Sequence, residues 1–301
     1  MKTILISTVM TFLSCCTISG QEASPKSSDP KIEKSIIFGK GGDTNLELNL
    51  AIPQGKGPFP AVILVHGGGW KGGSYKDVLM NMIMIRLARA GYVGACIQYR
   101  LTPSGARFPS QIEDCKCAVR WLRGNAEKYK VDSSRIGALG GSAGGHLVLL
   151  LGVTTSEDGL EGKGDLQPEF AKQSSAVQAV VNIFGPTDLV NGDWEPEVEP
   201  LINELLGGTV KDNKALATRA SPLTYLKKDR AIPPILTFHG TKDNIVPYIH
   251  ATKLQKALDA LNVPSKLVTM EGDGHGWVGE KLELTLKQSI QFLDEHLKAR
   301  K

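Results

Sequence analysis

The feature that most constrains this chain is the run Gly140-Gly141-Ser142-Ala143-Gly144-Gly145. It fits the pattern Gly-x-Ser-x-Gly, and its flanks give the pattern meaning. Arg135-Ile136-Gly137-Ala138-Leu139 before it reads as a buried strand, and His146-Leu147-Val148-Leu149-Leu150-Leu151 after it reads as the opening of a buried helix. A strand that turns sharply into a helix would place the serine on a nucleophile elbow. In so tight a turn side chains at Gly140 or Gly144 would collide with neighbouring backbone, and the serine would sit under backbone strain. A helix that starts at the serine also turns its unpaired N–H groups and positive dipole end toward the reacting centre. A glycine-rich turn with a bystander serine has the same letters, so the rest of the chain has to decide.

Strand-like and helix-like segments alternate along that chain. Residues 35–38 and 46–50 flank Gly41-Gly42-Asp43, and the second run alternates apolar and polar residues, which predicts a hairpin with one face wet. Ala61-Val62-Ile63-Leu64-Val65 is uniformly apolar, as a strand buried on both faces should be. Further strands are expected at 92–99, 135–139, 176–184, 235–238 and 266–270, with helices at 75–90, 109–129, 199–206, 248–261 and 280–299. Residues 186–225 are otherwise irregular and proline-containing, the one stretch that could form a short lid. The alternation predicts one α/β domain over residues 32–301, a mostly parallel sheet with helices on both faces. In such sheets ligands bind beyond the carboxyl ends of the strands.

The N-terminus is not part of this pattern. Met1-Lys2, a short apolar stretch over 3–13 and small residues up to Gly20 read as a secretory signal, too short to span a membrane. Lipidation at Cys15 or Cys16 is the alternative, and the only route by which the sequence implies a membrane. Residues 21–31 read as a polar, disordered tether. The net charge of +4 is scattered, and its one basic cluster, Lys227-Lys228-Asp229-Arg230, is interrupted by an acid, which argues against a nucleic-acid partner. Cys96, Cys115 and Cys117 are an odd number, so at least one stays free. Cys115 and Cys117 point to different faces of one helix, leaving free thiols or a Cys96 bridge to that helix.

The chemistry collects after strand ends. Ser142, Asp243 in His239-Gly240-Thr241-Lys242-Asp243, and His275 in Gly274-His275-Gly276 each follow a strand, in the order Ser…Asp…His. Serine is a weak nucleophile and needs an imidazole to take its proton, and a carboxylate fixes the imidazole tautomer. Asp188 is the rival acid, but Asp243 follows the strand immediately before the one that delivers His275. Of the six histidines, His66 and His239 end strands and suit loop support, while His250 and His296 fall on helices. His66-Gly67-Gly68-Gly69-Trp70 completes the set. Acyl transfer builds charge on a carbonyl oxygen, and Gly68, Gly69 and Ala143 are the expected backbone donors. Trp70, Tyr99, His146, Trp194 and Trp277 are candidate pocket residues. No ligand spacing suggests a metal.

Those motifs, with Tyr99-Arg100-Leu101, Phe108-Pro109, Ile112-Glu113-Asp114-Cys115, Gly185-Pro186-Thr187-Asp188-Leu189 and Val246-Pro247, resemble the α/β-hydrolase esterases of the bifunctional feruloyl/acetylxylan esterase type, relatives of the hormone-sensitive-lipase-like esterases. The resemblance covers most of residues 32–301. It implies a carboxylic-ester hydrolase without a cofactor, with Ser142 as nucleophile, Asp243 as acid and His275 as base. The chain departs from the pattern in having Gly141 where a larger residue is common, and in lacking a long N-terminal cap, which points to an open site and short acyl groups. The expectation is an exported serine esterase for short-chain esters, on small molecules or on acetyl or feruloyl groups of plant polysaccharide. A peptidase or arylformamidase on the same triad is the nearest alternative. A catalytically silent binding protein on the same fold is the other.

Overall fold

A computed structural model describes residues 29–162 and 168–298. The leader read at 1–20 and most of the tether lie outside the described residues. The tether's end is a correction: Lys31, expected to be disordered, already lies in the first strand, and Asp29 just before it bonds Arg89 at 2.9 Å.

The strands are β1 (Lys31–Gly41), β2 (Thr44–Ile52), β3 (Phe59–Val65), β4 (Val93–Ile97), β5 (Val131–Gly141), β6 (Ala179–Ile183), β7 (Ile235–Gly240) and β8 (Ser265–Met270). The helices are α1 (Val78–Arg89), α2 (Ser110–Gly124), α3 (Ala143–Val153), α4 (Glu199–Leu206), α5 (Lys214–Arg219), α6 (Ile249–Ala260) and α7 (Glu280–Leu297). Among the described residues the strands form one sheet in the order β1-β2-β4-β3-β5-β6-β7-β8. β1 and β2 join it antiparallel, and β4-β3-β5-β6-β7-β8 run parallel. This is the α/β-hydrolase fold.

The two-residue period of the strands sorts the core. On β3, Ile63 and Val65 join the side chains of α2, α3 and α6, whereas Val62 and Leu64 join those of α1 and α7. Two apolar layers result, one per face, and each strand in the middle must be apolar throughout. The same sorting settles the thiols. Cys96 lies in one layer and Cys115 in the other, so the sheet separates them, and all three body cysteines are free and buried.

The expected wet face of β2 is a second correction. Leu46, Leu48 and Leu50 are buried on one side, yet Asn49 and Ala51 are buried too. The Asn49 amide donates to Asn81 on α1 at 2.9 Å and to the Tyr75 carbonyl at 3.3 Å. The polar residue in the alternation therefore marks a satisfied buried amide beneath α1. Elsewhere the differences are at ends. The helix expected to reach 129 stops at Gly124, and the strand expected from 135 begins at Val131. α5 has no counterpart in the sequence reading.

The parallel register brings the strand ends level. Val65 pairs with Gly140, Gly141 with Ile183, Ile183 with Phe238 and Gly240 with Met270. The loops after β3, β5, β6, β7 and β8 all leave at that one edge, and Gly68, Gly69, Ser142, Asp243 and His275 are on them.

Candidate active site

Ser142 has φ 56° and ψ −125°, the left-handed backbone of a strained elbow. The turn is closed by close approach. A Cβ on Gly144 would lie 2.1 Å from the Val65 carbonyl oxygen, so only glycine lets β3 and α3 meet there. At Gly141 the nearest atom to a Cβ is on Phe184 at 3.5 Å, an ordinary contact, so the turn does not itself demand glycine at this position. The Ser142 amide donates to the Ile183 carbonyl at 2.9 Å, and its carbonyl accepts from His146 at 3.0 Å as α3 begins.

The structure brings Ser142, His275 and Asp243 into one chain of hydrogen bonds. The Ser142 Oγ is 2.8 Å from His275 Nε2, and His275 Nδ1 is 2.8 Å from Asp243 Oδ2. The other carboxylate oxygen of Asp243 accepts the Ile245 and Val246 amides, each at 2.9 Å. Asp243 is buried, which alone would raise its pKa. The nearby His239 imidazole, the hydrogen bond from His275 and the loop amides outweigh that and hold it well below the usual carboxylate range. An ionised Asp243 accepts only, so the proton on His275 sits at Nδ1 and the Nε2 lone pair faces the serine hydroxyl. This arrangement can take a proton from Ser142 and return it to a leaving group.

His239 is a support, as its strand-end position suggested. Its Nε2 donates to the Val246 carbonyl at 2.7 Å and stands 3.4 Å from Asp243. The His275 loop is tied back by the Lys242 amide, which donates to the Asp273 carbonyl at 2.8 Å. Phe184, which sequence reasoning missed, has its ring 4.5 Å from the His275 imidazole, and Trp277 stands edge-on to that ring at 5.4 Å. The only signal for Phe184 was its place as the last residue of an expected strand. Its side chain becomes a neighbour of His275 only because β6, β7 and β8 end level.

The glycine run lies against the nucleophile: a Cβ on Gly67 would be 3.3 Å from that of Ser142. Gly68 has φ 107°, and its carbonyl accepts the Lys71 and Gly72 amides at 3.1 and 2.9 Å. In a trans peptide the N–H points opposite to the C=O, so the Gly69 amide faces away from that turn. Ala143 is the first residue of α3, where an N–H has no partner within the helix. These donors can receive a carbonyl oxygen that gains charge.

Two pocket expectations are corrected. Tyr99 has no exposed surface; its ring stacks on His66 at 4.3 Å and its hydroxyl donates to the His66 carbonyl at 3.3 Å. His146 is also fully buried, held between Trp70 and the Ala220 carbonyl. Both support the glycine loop and neither can touch a substrate. Trp70 is only 3% exposed, and its indole packs inward onto His146. Trp194 lies on His250 at 4.4 Å, on the loop after β6. The lid segment packs on the glycine run. A Cβ on Gly69 would lie 3.0 Å from Leu201 of α4, and Glu204 of α4 accepts from Lys71 at 3.1 Å and Thr102 at 2.8 Å.

Residues 48–258 match the sequence profile of the BD-FAE family, and the chain belongs to that family. Its fold is that of the α/β-hydrolase esterases that its motifs resemble. Esterase LipC of Mycobacterium tuberculosis is 32% identical over 230 residues, which are 73% of this chain and 53% of LipC. The chain thus spans about half the length of LipC, as it does of LipQ at 52%. Among solved structures, a truncated form of a carbohydrate esterase from gut microbiota superposes with a TM-score of 0.78 at 27% identity, covering 90% of this chain and 98% of that one. A thermophilic esterase from Thermogutta terrifontis with butyrate bound superposes at 0.73 and 25% identity, covering 91% and 96%.

Proposed function

We propose that this protein is an exported serine esterase that hydrolyses short-chain carboxylic esters through an acyl-enzyme. The observation that carries the reading is the chain of hydrogen bonds from Asp243 through His275 to Ser142, beside a glycine run whose Gly69 amide faces away from its own turn. Ser142 attacks the ester carbonyl while His275 takes its proton. Gly68, Gly69 and Ala143 hold the oxyanion. The proton on His275 goes to the departing alcohol, and water then repeats the sequence on the acyl-enzyme, with the acid as product. Asp243 stabilises the imidazolium formed in each step.

The substrate reading is an acetyl or feruloyl ester of plant polysaccharide. It is supported by membership of the BD-FAE family and by the likeness to a carbohydrate esterase from gut microbiota. Short acyl groups are supported by α4 lying close over the glycine run and by the butyrate-bound Thermogutta esterase. The leader at residues 1–20, or lipidation at Cys15 or Cys16, would carry the enzyme out of the cytoplasm.

The test is hydrolysis of p-nitrophenyl esters from acetate to decanoate, beside acetylated xylan and methyl ferulate. Preference for acetate with release of acetate from xylan is the expected result. A maximum at long chains with no action on xylan would overturn the polysaccharide reading. Inactivity on every ester, with turnover of a peptide or formamide, would overturn the esterase reading.

A further inference from the structure

We propose that His146 is the positioning residue of the oxyanion-binding loop: it holds Trp70, and through Trp70 the peptides of Gly68 and Gly69, in the geometry that a developing oxyanion requires. The inference rests on the esterase reading above and names a residue outside the triad on which its turnover depends.

The loop needs such a hold. Gly68, Gly69 and Trp70 have successive φ values of 107°, 59° and 57°. Glycine adopts these at little cost, but a tryptophan at positive φ is strained and persists only where its surroundings over-determine it. Two hydrogen bonds do so. The Trp70 carbonyl accepts the Thr102 amide at 3.0 Å, and the indole Nε1–H donates to His146 Nδ1 at 3.2 Å. With the indole almost wholly buried, that N–H has no water to turn to.

His146 is itself fixed. Its Nε2 lies 2.7 Å from the Ala220 carbonyl at the end of α5, and a carbonyl only accepts. The imidazole proton is therefore on Nε2, and the Nδ1 lone pair is left for the indole. Full burial lowers the pKa of this ring to about 4, so the acceptor survives at neutral pH. The His146 amide also donates to the Ser142 carbonyl at 3.0 Å. One residue thus ties the loop to the helix that carries the nucleophile and to the lid. With no exposed surface it cannot touch a substrate, and its side chain reaches the glycine loop through Trp70.

Three variants separate positioning from packing. His146→Leu fills the space without an acceptor. The His146→Asn oxygen can stand near the former Nδ1 and receive the indole, whereas His146→Gln places its amide near the former Nε2 and Ala220. With p-nitrophenyl acetate, His146→Leu should lower kcat by about 30-fold, less than the roughly 10²–10³ lost with a whole oxyanion donor because the donors are displaced rather than removed, and leave KM within about threefold. Inhibition by a trifluoromethyl ketone should weaken in parallel. That compound traps the Ser142 oxygen on its carbonyl carbon, with the hydroxyl proton passing to His275 and the carbonyl oxygen becoming the oxyanion. His146→Asn should recover kcat to within about fivefold of the parent even if its melting temperature is the lowest of the set, and His146→Gln should not.

A kcat that follows melting temperature across the variants would overturn the proposal. So would unchanged affinity for the ketone in His146→Leu, or an Asn variant no faster than the Gln variant. That last comparison stands even if the Leu variant does not fold. A parent protein that neither hydrolyses esters nor takes a fluorophosphonate label at Ser142 would defeat the esterase reading and this inference with it. An active parent with an indifferent His146 series would defeat this inference alone.

Discussion

Asp243 and Asp188 sit in nearly the same turn. Each follows a strand of the parallel sheet, β7 for Asp243 and β6 for Asp188. In each, Oδ1 accepts the amides two and three residues ahead: Ile245 and Val246 at 2.9 Å for Asp243, Val190 at 3.0 Å and Asn191 at 2.9 Å for Asp188. This is the local Asx geometry that suits aspartate to turns. The difference lies in the second oxygen and in the histidine nearby. Asp243 Oδ2 holds His275 at 2.8 Å, and that imidazole donates to the carboxylate. Asp188 Oδ2 meets Lys253 at 3.6 Å, and the histidine beside it, His250, accepts the Thr187 and Asp188 amides at 3.1 and 3.3 Å. One turn thus holds an imidazole in one place and anchors a loop in the other. What separates them is the neighbour delivered by the next loops.

The largest test of this contrast is a pair of substitutions. Asp243→Asn should cut kcat by about 10⁴, because the His275 tautomer is no longer held, while Asp188→Asn should change it by less than about threefold. Steady-state rates on an acetyl ester decide it, and equal losses would break the comparison.

His250→Leu strips the acceptor from one buried and one partly buried amide and should cost about 2–3 kcal/mol in urea unfolding, with kcat of the folded enzyme little changed. A large fall in kcat at undiminished stability would place His250 on the catalytic side of the comparison.

Acid sharpens it further. Burial, above all, lowers the pKa of His250 to about 3 and that of His146 to about 4. Between those values and about 6.5, the unfolded chain binds protons that the folded one refuses. Stability from these rings is therefore complete above about pH 6.5 and falls as the pH drops, until the folded rings protonate. From pH 7 to pH 5 each should cost about 1–2 kcal/mol. Urea midpoints across that range should fall, and His250→Gln should flatten the slope. A midpoint independent of pH would show that the rings are not held neutral.

The smallest expected effect is that of Lys253→Met. An ion pair at 3.6 Å with a partly exposed lysine should be worth less than about 1 kcal/mol, with no effect on turnover. A measurable loss of activity would tie the Asp188 loop to the reaction.

Much of this was legible in the residues. The buried β3 strand, the elbow at Ser142, the α4 helix and the order Ser142, Asp243, His275 all rest on short-range rules: apolar runs, turn glycines, positions just after strands. The errors about side-chain environment share one cause. Asn49 looked solvent-facing, and Tyr99 and His146 looked like pocket residues, because polar and aromatic letters carry no record of what covers them. Phe184 drew no notice, since nothing local marks a ring that meets an imidazole from another loop.

By itself the sequence determined which segments are strands, where the sharp turn must carry glycine and which residue types stand at the strand ends, because those properties follow from steric and apolar patterns over a few residues. Only the tertiary structure decided that Phe184 meets His275, that His146 lies behind Trp70, and that Cys96 stays apart from Cys115. Each depends on the order and register of strands distant in the chain, and on which face of the sheet each side chain enters.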